Sequence, residues 1–520
     1  MKGIVANVTT AHFSICVDSN LNVESQNLKV CKFIRSILEQ EVGTVYKRGS
    51  KINVALIYPN SYYVGMSNLG FHTIYHELNK RDDTSCERAF FSIERAGEAE
   101  SSKREFQRRA YSTTAANAGF KSRSSCTMIT SLEHGKPLTD FDILAFSISF
   151  ELDYPNVIRI LNRINIPVRR TDRTLYHPLV ISGGIFTSFN LMPLSRIVDL
   201  FIVGEGEEVL HEFMDLYSSY FPLDTSAQKN NLLNEASRIE GIFVPGVSNT
   251  VQVRRLKELD KFETITRIIT PFTEFKDTFL IEVSRGCSRM CKFCVTGFAC
   301  GKMRIRSPEK ILKVAKEGLK RTSRIGLVGA AVSDHPEIDA VCKGLRDMGA
   351  RISVSSLRAD SATPFLVKSL AESGQKTITA APEAGTERLR RFIGKSIKDS
   401  QIINFVEMAH GYGIKKVKLY FMLGLPGEKE EDINGIISLC KRAVEILPIR
   451  VSITPFIPKP KTPFQDEKMD DKNILKKKMR YIRSQLARYR RVSVTHESIR
   501  MALLEARFAC GDEDVLNFLY

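Results

Sequence analysis

The 520-residue chain contains no uninterrupted apolar run approaching the roughly 20 residues that a membrane helix needs. Its start, MKGIVANVTTAHFSICVDSN, lacks a basic stretch leading into an apolar core, so no secretory signal is expected and a cytoplasmic protein is. Cysteine is sparse. Eleven residues, unevenly spaced and odd in number, do not make a disulfide framework within one chain, so clustered cysteines point to metal or redox chemistry. Composition is not extreme either: 43% hydrophobic and 26% charged residues exclude disordered and fibrous classes. A chain of this length accommodates two or three domains, each with its own core.

Charge is unbalanced. The net +17 permits nucleic acid, anionic membrane surfaces or acidic substrates as partners and names none of them. Part of the excess lies between Arg95 and Arg123, where seven Lys/Arg face three Glu for a local +4. This Ser/Arg/Ala-rich stretch, about 95–130, reads as a solvated surface insertion, with a polyanion contact as the alternative.

Residues 1–50 form an N-terminal extension without a clear motif. From Ile52 strands alternate with helices: INVALIYP, FDILAFSISF, PLVISGG and DLFIVGEGEE carry strand patterns with helical patterns between them. Residues 51–220 are therefore expected to be a Rossmann-like parallel-sheet domain that binds ligands at the carboxyl ends of its strands. A polar stretch, 221–270, reads as a linker. A second alternating array follows at 271–465, with strands TFLIEVSRG, RIGLVGA, RISVSSL, KTITAAP, KKVKLYFMLG and RVSITPFIP. Six strands with intervening helices imply a partial (β/α)6 barrel, whose chemistry gathers at the carboxyl ends of the strands. The fold class is thus α/β, a Rossmann-like domain followed by a partial barrel. Residues 466–520 read as a helical tail. Its basic amphipathic pattern, about 468–492, has Ile474, Met479, Ile482, Leu486 and Tyr489 as inward residues, and RNA contact is the alternative to packing.

Just after the first strand of the second array, SRGCSRMCKFCVTGF spaces Cys287, Cys291 and Cys294 as C-x3-C-x2-C. Three such thiolates can ligate three irons of a cubane cluster that normally has four cysteine ligands, leaving one iron open for chemistry. A structural zinc site with Cys300 as fourth ligand is the alternative. Zinc motifs usually pair two C-x2-C knuckles, however, and the nearest downstream histidine is His335. Cys300, Cys342, Cys440 and Cys510 read as small core or surface residues.

The three-cysteine spacing, with Phe293 just before the last cysteine, resembles the radical S-adenosylmethionine superfamily. The resemblance implies a [4Fe–4S] cluster whose open iron is chelated by the amino and carboxylate groups of S-adenosylmethionine. It implies reductive release of a 5′-deoxyadenosyl radical, an electron donor such as flavodoxin or ferredoxin, and an unknown substrate. The segment LVGAAVSDHPEID stands in the place of the family's Gly-Gly-Glu turn. Here it is Gly329-Ala330-Ala331, so the glutamate is missing and only backbone contacts carry over. TAAPEAGTERLRRFIGK resembles the Glu-x-Gly turn, which makes Glu383 and Gly385 candidate contacts to the cofactor's ribose or methionine part. YFMLGLPGE, with Gly424 and Gly427, resembles the glycine turn near the adenine.

The first half resembles the cobalamin-binding-type domain that precedes the radical domain in many of these enzymes, through YPNSYYVGMSNLG, DFDILAFSISFELDYPNV, VISGG and DLFIVGEGEE. Its glycine turns, Gly183-Gly184 and Gly204-Glu205-Gly206, would let backbone approach a planar cofactor or a phosphate, and ordinary strand-to-helix turns are the alternative. Asp-x-His-x-x-Gly, the motif that supplies an axial histidine, is absent. A cobalamin would therefore bind without a histidine, with Tyr62 and Tyr63 as candidate walls. His72 and His76 share one helix face and read as a solvated or core-edge pair. The expected function is a radical S-adenosylmethionine enzyme, with cobalamin-dependent methylation left open. The alternatives are an RNA- or protein-modifying radical enzyme without cobalamin, and a non-catalytic metal-binding scaffold. No individual catalytic residue stands out.

Overall fold

The computed structural model describes residues 34–92 and 129–519. Nearly all of the basic insertion expected at about 95–130 lies outside the described residues. The first sheet contains β1 (Ile52–Ser61), β2 (Thr84–Ser92), β3 (Ile143–Ser147), β4 (Leu179–Gly183), β5 (Leu200–Ile202) and β6 (Ile242–Phe243). Their order is β2-β1-β3-β4-β5-β6, parallel throughout except that β6 runs antiparallel to β5. This is the flavodoxin-like doubly wound order with one added edge strand. The run INVALIYP is buried almost continuously because helices cover both faces. Val54, Leu56 and Tyr58 join a core with the helices Leu69–Lys80 and Gly206–Tyr220, while Ala55 and Ile57 join another with Tyr154–Arg163.

Residues 221–270 are not a simple linker. The helix Ser226–Ala236, closed by a Thr225/Gln228 capping box, buries Leu232 and Ala236 in the first core, and β6 extends the sheet. A mostly polar surface masks the two apolar positions that anchor the segment.

The second array comprises β7 (Phe279–Glu282), β10 (Arg324–Val328) and β11 (Arg351–Val354), then β12 (Thr377–Glu383), β13 (Lys416–Leu423), β14 (Ile449–Pro455) and β15 (Val492–His496). All neighbours are parallel, and a single bridge, Leu357 to Ala380, joins the two groups. Seven strands thus follow one another without closing among the described residues, which is consistent with a partial barrel. β8 (Ser284–Arg285) and β9 (Arg304–Ile305) form a small antiparallel pair that brackets the cysteine segment.

The C-terminal region is not purely helical, since β15 completes the second sheet. Its helix Lys472–Leu486 buries Leu475, Met479, Ile482 and Leu486, whereas Ile474, expected inward, is exposed. Phe508, Val515 and Leu516 return to the first domain and pack in its core with Ala299, just beyond the cysteines. Among the described residues no helix is long and apolar enough to cross a membrane.

Candidate functional site

The chain enters the cysteine segment through Gly286, whose φ of +82° and close approach to the Lys302 carbonyl, 2.5 Å from where a Cβ would stand, exclude a side chain. The Cys287 N–H donates to the Gly301 carbonyl at 3.0 Å, Met290 adopts a left-handed backbone, and the Cys294 N–H donates to the Cys291 carbonyl at 3.0 Å. Cys294 then precedes the short helix Val295–Ala299. From below, the Lys292 N–H donates to the Ile393 carbonyl at 2.9 Å, so the loop rests on the chain that follows β12.

Cys291 is buried, and Cys287 and Cys294 are half-buried. Burial pushes the Cys291 thiol up, while the nearby positive charges of Lys395 and Arg358 favour its thiolate. Among the described residues no three His, Cys, Asp or Glu side chains converge as a single ion would require. A cubane places each thiolate on a different iron, so it does not ask for that convergence. Cys300 is raised to about 11 by burial. Cys342 and Cys440 are core residues, and Cys510 is exposed.

The Glu-x-Gly turn lies beside this loop. Glu383, at the end of β12 with φ +71°, pairs with Lys395 at 2.9 Å. Gly385 has another role: its Cβ would collide with backbone of Asp432 and Ile436, so the glycine lets the turn pack on the helix Glu430–Ile446. Phe293 packs against a small cluster of Leu389, Ile393, Phe456 and Phe464, and Lys292 lies 4.7 Å from the Phe392 ring centre. The Gly424 N–H donates to the Glu428 carboxylate at 3.1 Å, and Gly427 abuts Phe392.

Gly329 sits against β8, where a Cβ would meet the Ser284 hydroxyl at 2.6 Å, and Ala331 is buried. That hydroxyl is itself buried without a hydrogen-bond partner among the described residues. Beyond this turn an open cleft of about 680 Å³ runs between the cysteine loop and the loops after β10 and β11. Arg289 spans it with a two-pronged bond to Asp334, 2.8 Å on each arm, and Arg358 pairs with Asp360.

The first-domain glycines stand elsewhere. Gly184 and Gly204 have φ of +113° and +101°, and a Cβ on either would collide with the carbonyl of Ile148 or Arg254. Gly183 has room, and Gly206 faces Ile74. At Gly184 and Gly204 the room a side chain would need is taken by the protein's own backbone. His72 is fully engaged: Nε2 bonds the Met66 carbonyl at 2.9 Å and Nδ1 accepts from the Arg267 N–H at 3.2 Å. Tyr62 is a core residue bonded to Glu41, and the half-buried Tyr63 bonds Glu274 at 2.6 Å.

What the Gly-Glu-Gly turn contributes is Glu205. Its carboxylate pairs with Arg304, lies 3.2 Å from Arg285 and accepts from the Leu256 N–H at 2.7 Å. Arg285 also bonds Glu207 and Glu282, both at 2.8 Å. The first domain therefore grips both strands of the β8–β9 pair that bracket the cysteines. Sequence reasoning missed Glu205, Arg285, Arg304, Lys395 and Arg358. The sole signal was the uncommon glutamate inside a glycine turn.

A family described as the radical SAM superfamily matches residues 281–440, and one described as the N-terminal part of radical SAM proteins matches residues 99–245. An uncharacterised protein of Methanocaldococcus jannaschii is 31% identical over 480 residues, 90% of either chain. The threonylcarbamoyladenosine tRNA methylthiotransferase of Bacillus subtilis is 24% identical over 36% of this chain and 43% of its own. Among solved structures, the radical S-adenosylmethionine methyltransferase TsrM from Kitasatospora setae superposes with a TM-score of 0.49 at 12% identity, covering 79% of this chain and 75% of that one.

Proposed function

The chain belongs to the radical S-adenosylmethionine superfamily, and from that membership we propose that Cys287, Cys291 and Cys294 hold the [4Fe–4S] cluster of a radical enzyme. The observation that carries the assignment is their common loop, bracketed by β8 and β9 and seated on the end of β12, with Lys395 and Arg358 beside Cys291. When bound, the cluster and S-adenosylmethionine supply a 5′-deoxyadenosyl radical by reductive cleavage of the sulfonium.

The chain's own residues fit these groups. Three thiols, one fewer than a closed cubane uses, leave one iron for the cofactor. The orphaned Ser284 hydroxyl and the backbone of Gly329, Ala330 and Ala331 offer polar contacts beside the loop. Glu383, steered by Lys395, faces the same end, and Gly385 acts by letting that turn pack. Gly424, Gly427 and Phe293 shape the adjoining wall. A reductant is required, and flavodoxin or ferredoxin in the cytoplasm supplies the electron. A cobalamin in the first domain is the further cofactor this reading allows; the Ile148 and Arg254 carbonyls stand where a Cβ would at Gly184 and Gly204, which accounts for those glycines and neither builds nor fills a cofactor site. Retention of hydroxocobalamin through gel filtration would establish it, and loss of all of it would exclude it.

The test is anaerobic reconstitution, reduction and product analysis. Reduced protein is expected to form 5′-deoxyadenosine, the mark of hydrogen abstraction. S-Adenosylhomocysteine would instead mark methyl transfer. Full iron loading with neither product overturns the proposal.

A further inference from the structure

The second sheet has two unlike faces. Ile325, Leu327, Ile352, Val354, Val417, Leu419, Ile449 and Val451 pack with the surrounding helices into one core. By the two-residue alternation of strands, Arg324, Arg351, Lys416, Lys418 and Arg450 point the other way, into the interior of the array. Arg324, Arg351 and Arg450 are exposed, and Lys416 and Lys418 are half-buried. Neutral Thr377 and Thr379 continue the band across β12.

These cations are stacked rather than scattered. Register places Arg324 beside Arg351 and Lys418 beside Arg450 on adjacent strands. Like charges in such positions repel. Among the described residues no carboxylate lies within 4.0 Å of any of the five, although the protein pairs most of its other interior cations closely. Lys418 instead donates to the Tyr420 hydroxyl at 2.6 Å, which holds its ammonium on the interior face. The band runs obliquely: the Leu357–Ala380 bridge sets Arg351, and Arg324 beside it, five residues or about 16 Å below the level of Lys418 and Arg450, across the four strand spacings, about 19 Å, from β10 to β14, a span that one phosphate cannot bridge. From Lys418, level with Thr379, it is four residues or about 13 Å up β12 to Glu383 beside the cysteine loop.

We propose that this basic band binds the phosphodiester backbone of a single-stranded RNA segment and presents it to the radical site at the upper end of the array. The inference deepens the radical-enzyme reading and rests on it for the chemistry, while the binding itself is measurable without the cluster. Backbone contacts of this kind are made by Lys and Arg together with Ser, Thr and Tyr hydroxyls. The half-exposed Tyr420, with the Lys418 ammonium 4.4 Å from its ring centre, adds an aromatic group beside these cations.

The experiment uses full-length protein and a short fluorescent single-stranded RNA, read by anisotropy across a salt series. In the Lys418→Gln/Arg450→Gln protein, affinity is expected to fall at least tenfold. The slope of log K against log salt should flatten by about 1.4, two single-strand contacts at about 0.7 each. The charge-preserving Lys418→Arg/Arg450→Lys protein should bind like the wild type, as should Lys320→Gln/Lys343→Gln on the outer surface. An affinity within twofold of wild type in the Gln pair overturns the proposal. So does a mononucleotide that binds as tightly as the RNA, which would assign the band to a small phosphate ester. Iron content and 5′-deoxyadenosine, measured in wild-type protein, report separately on the radical-enzyme reading.

Discussion

Arg285, two residues ahead of Cys287, lies 3.2 Å from the carboxylate of Glu205 in the first domain. Arg285, Arg304 and Glu205 are all largely shielded from solvent, so the pairs act as a clamp between the domains. Arg304 and Arg285 hold the Glu205 carboxyl below its ordinary value of 4.5 against the opposing effect of burial, which is the largest single influence. A depressed carboxylate stabilises the fold above its ordinary range, and this contribution fades as pH falls through the folded value. Glu205→Ala leaves two guanidinium groups short of a partner. It should cost about 3 kcal/mol, the low end for a broken buried pair, because Arg285 keeps Glu207 and Glu282. Urea unfolding at neutral pH measures the cost, and reduced iron retention should accompany it.

Replacing any one of Cys287, Cys291 or Cys294 with Ala should abolish cluster binding and cofactor cleavage, since the site has no spare ligand. Cys300→Ala should keep both. Iron and sulfide analysis after anaerobic reconstitution decides. Full cluster content in Cys291→Ala, or its loss in Cys300→Ala, would sink the assignment.

Deleting Arg95 to Arg123 should leave stability within about 0.5 kcal/mol, the usual range for changes away from core features. The chain on either side is independently secured. The Leu132 N–H donates to the Arg88 carbonyl at 2.7 Å, and Arg88 is held in a fully buried triad by Glu41 and Glu133. A large drop in melting temperature on deletion would show that the segment contributes to a core.

The strands carrying long apolar runs were legible because their burial on both faces is written as composition, and the cysteine loop because its spacing is itself the chemistry. Other features were hidden for identifiable reasons. β15 is a five-residue strand, VSVTH, whose two inward valines sit among polar and basic neighbours. In the helix Lys472–Leu486, choosing Ile474 over Leu475 shifted the apolar stripe by one residue at its start, while Met479, Ile482 and Leu486 kept the phase. Gly184 and Gly204 are recognisable in sequence only as glycine turns, and the Ile148 and Arg254 carbonyls that leave no room for a side chain come from segments that local pattern does not bring to them. The Glu205 clamp joins segments far apart in sequence, where local pattern carries no information.

His72 supplies the last test. Burial, set against a bond to the Met66 carbonyl, lowers its imidazole from 6.5 to about 4, so the folded protein keeps it neutral. Above pH 6.5 both folded and unfolded states hold it uncharged, and it adds no pH dependence. Between 6.5 and about 4 the unfolded chain takes up a proton that the folded chain refuses, so stability falls as the solution is acidified. At 1.36 kcal/mol for each pH unit of that window, the loss amounts to about 3 kcal/mol. In His72→Gln the side-chain amide can still donate to the Met66 carbonyl but cannot be charged. Its unfolding free energy, followed by urea titration from pH 7 to pH 4, should fall by about 3 kcal/mol less than that of the wild type, whatever its value at pH 7. Parallel curves for the two proteins would show that His72 is not the buried neutral group that the structure describes.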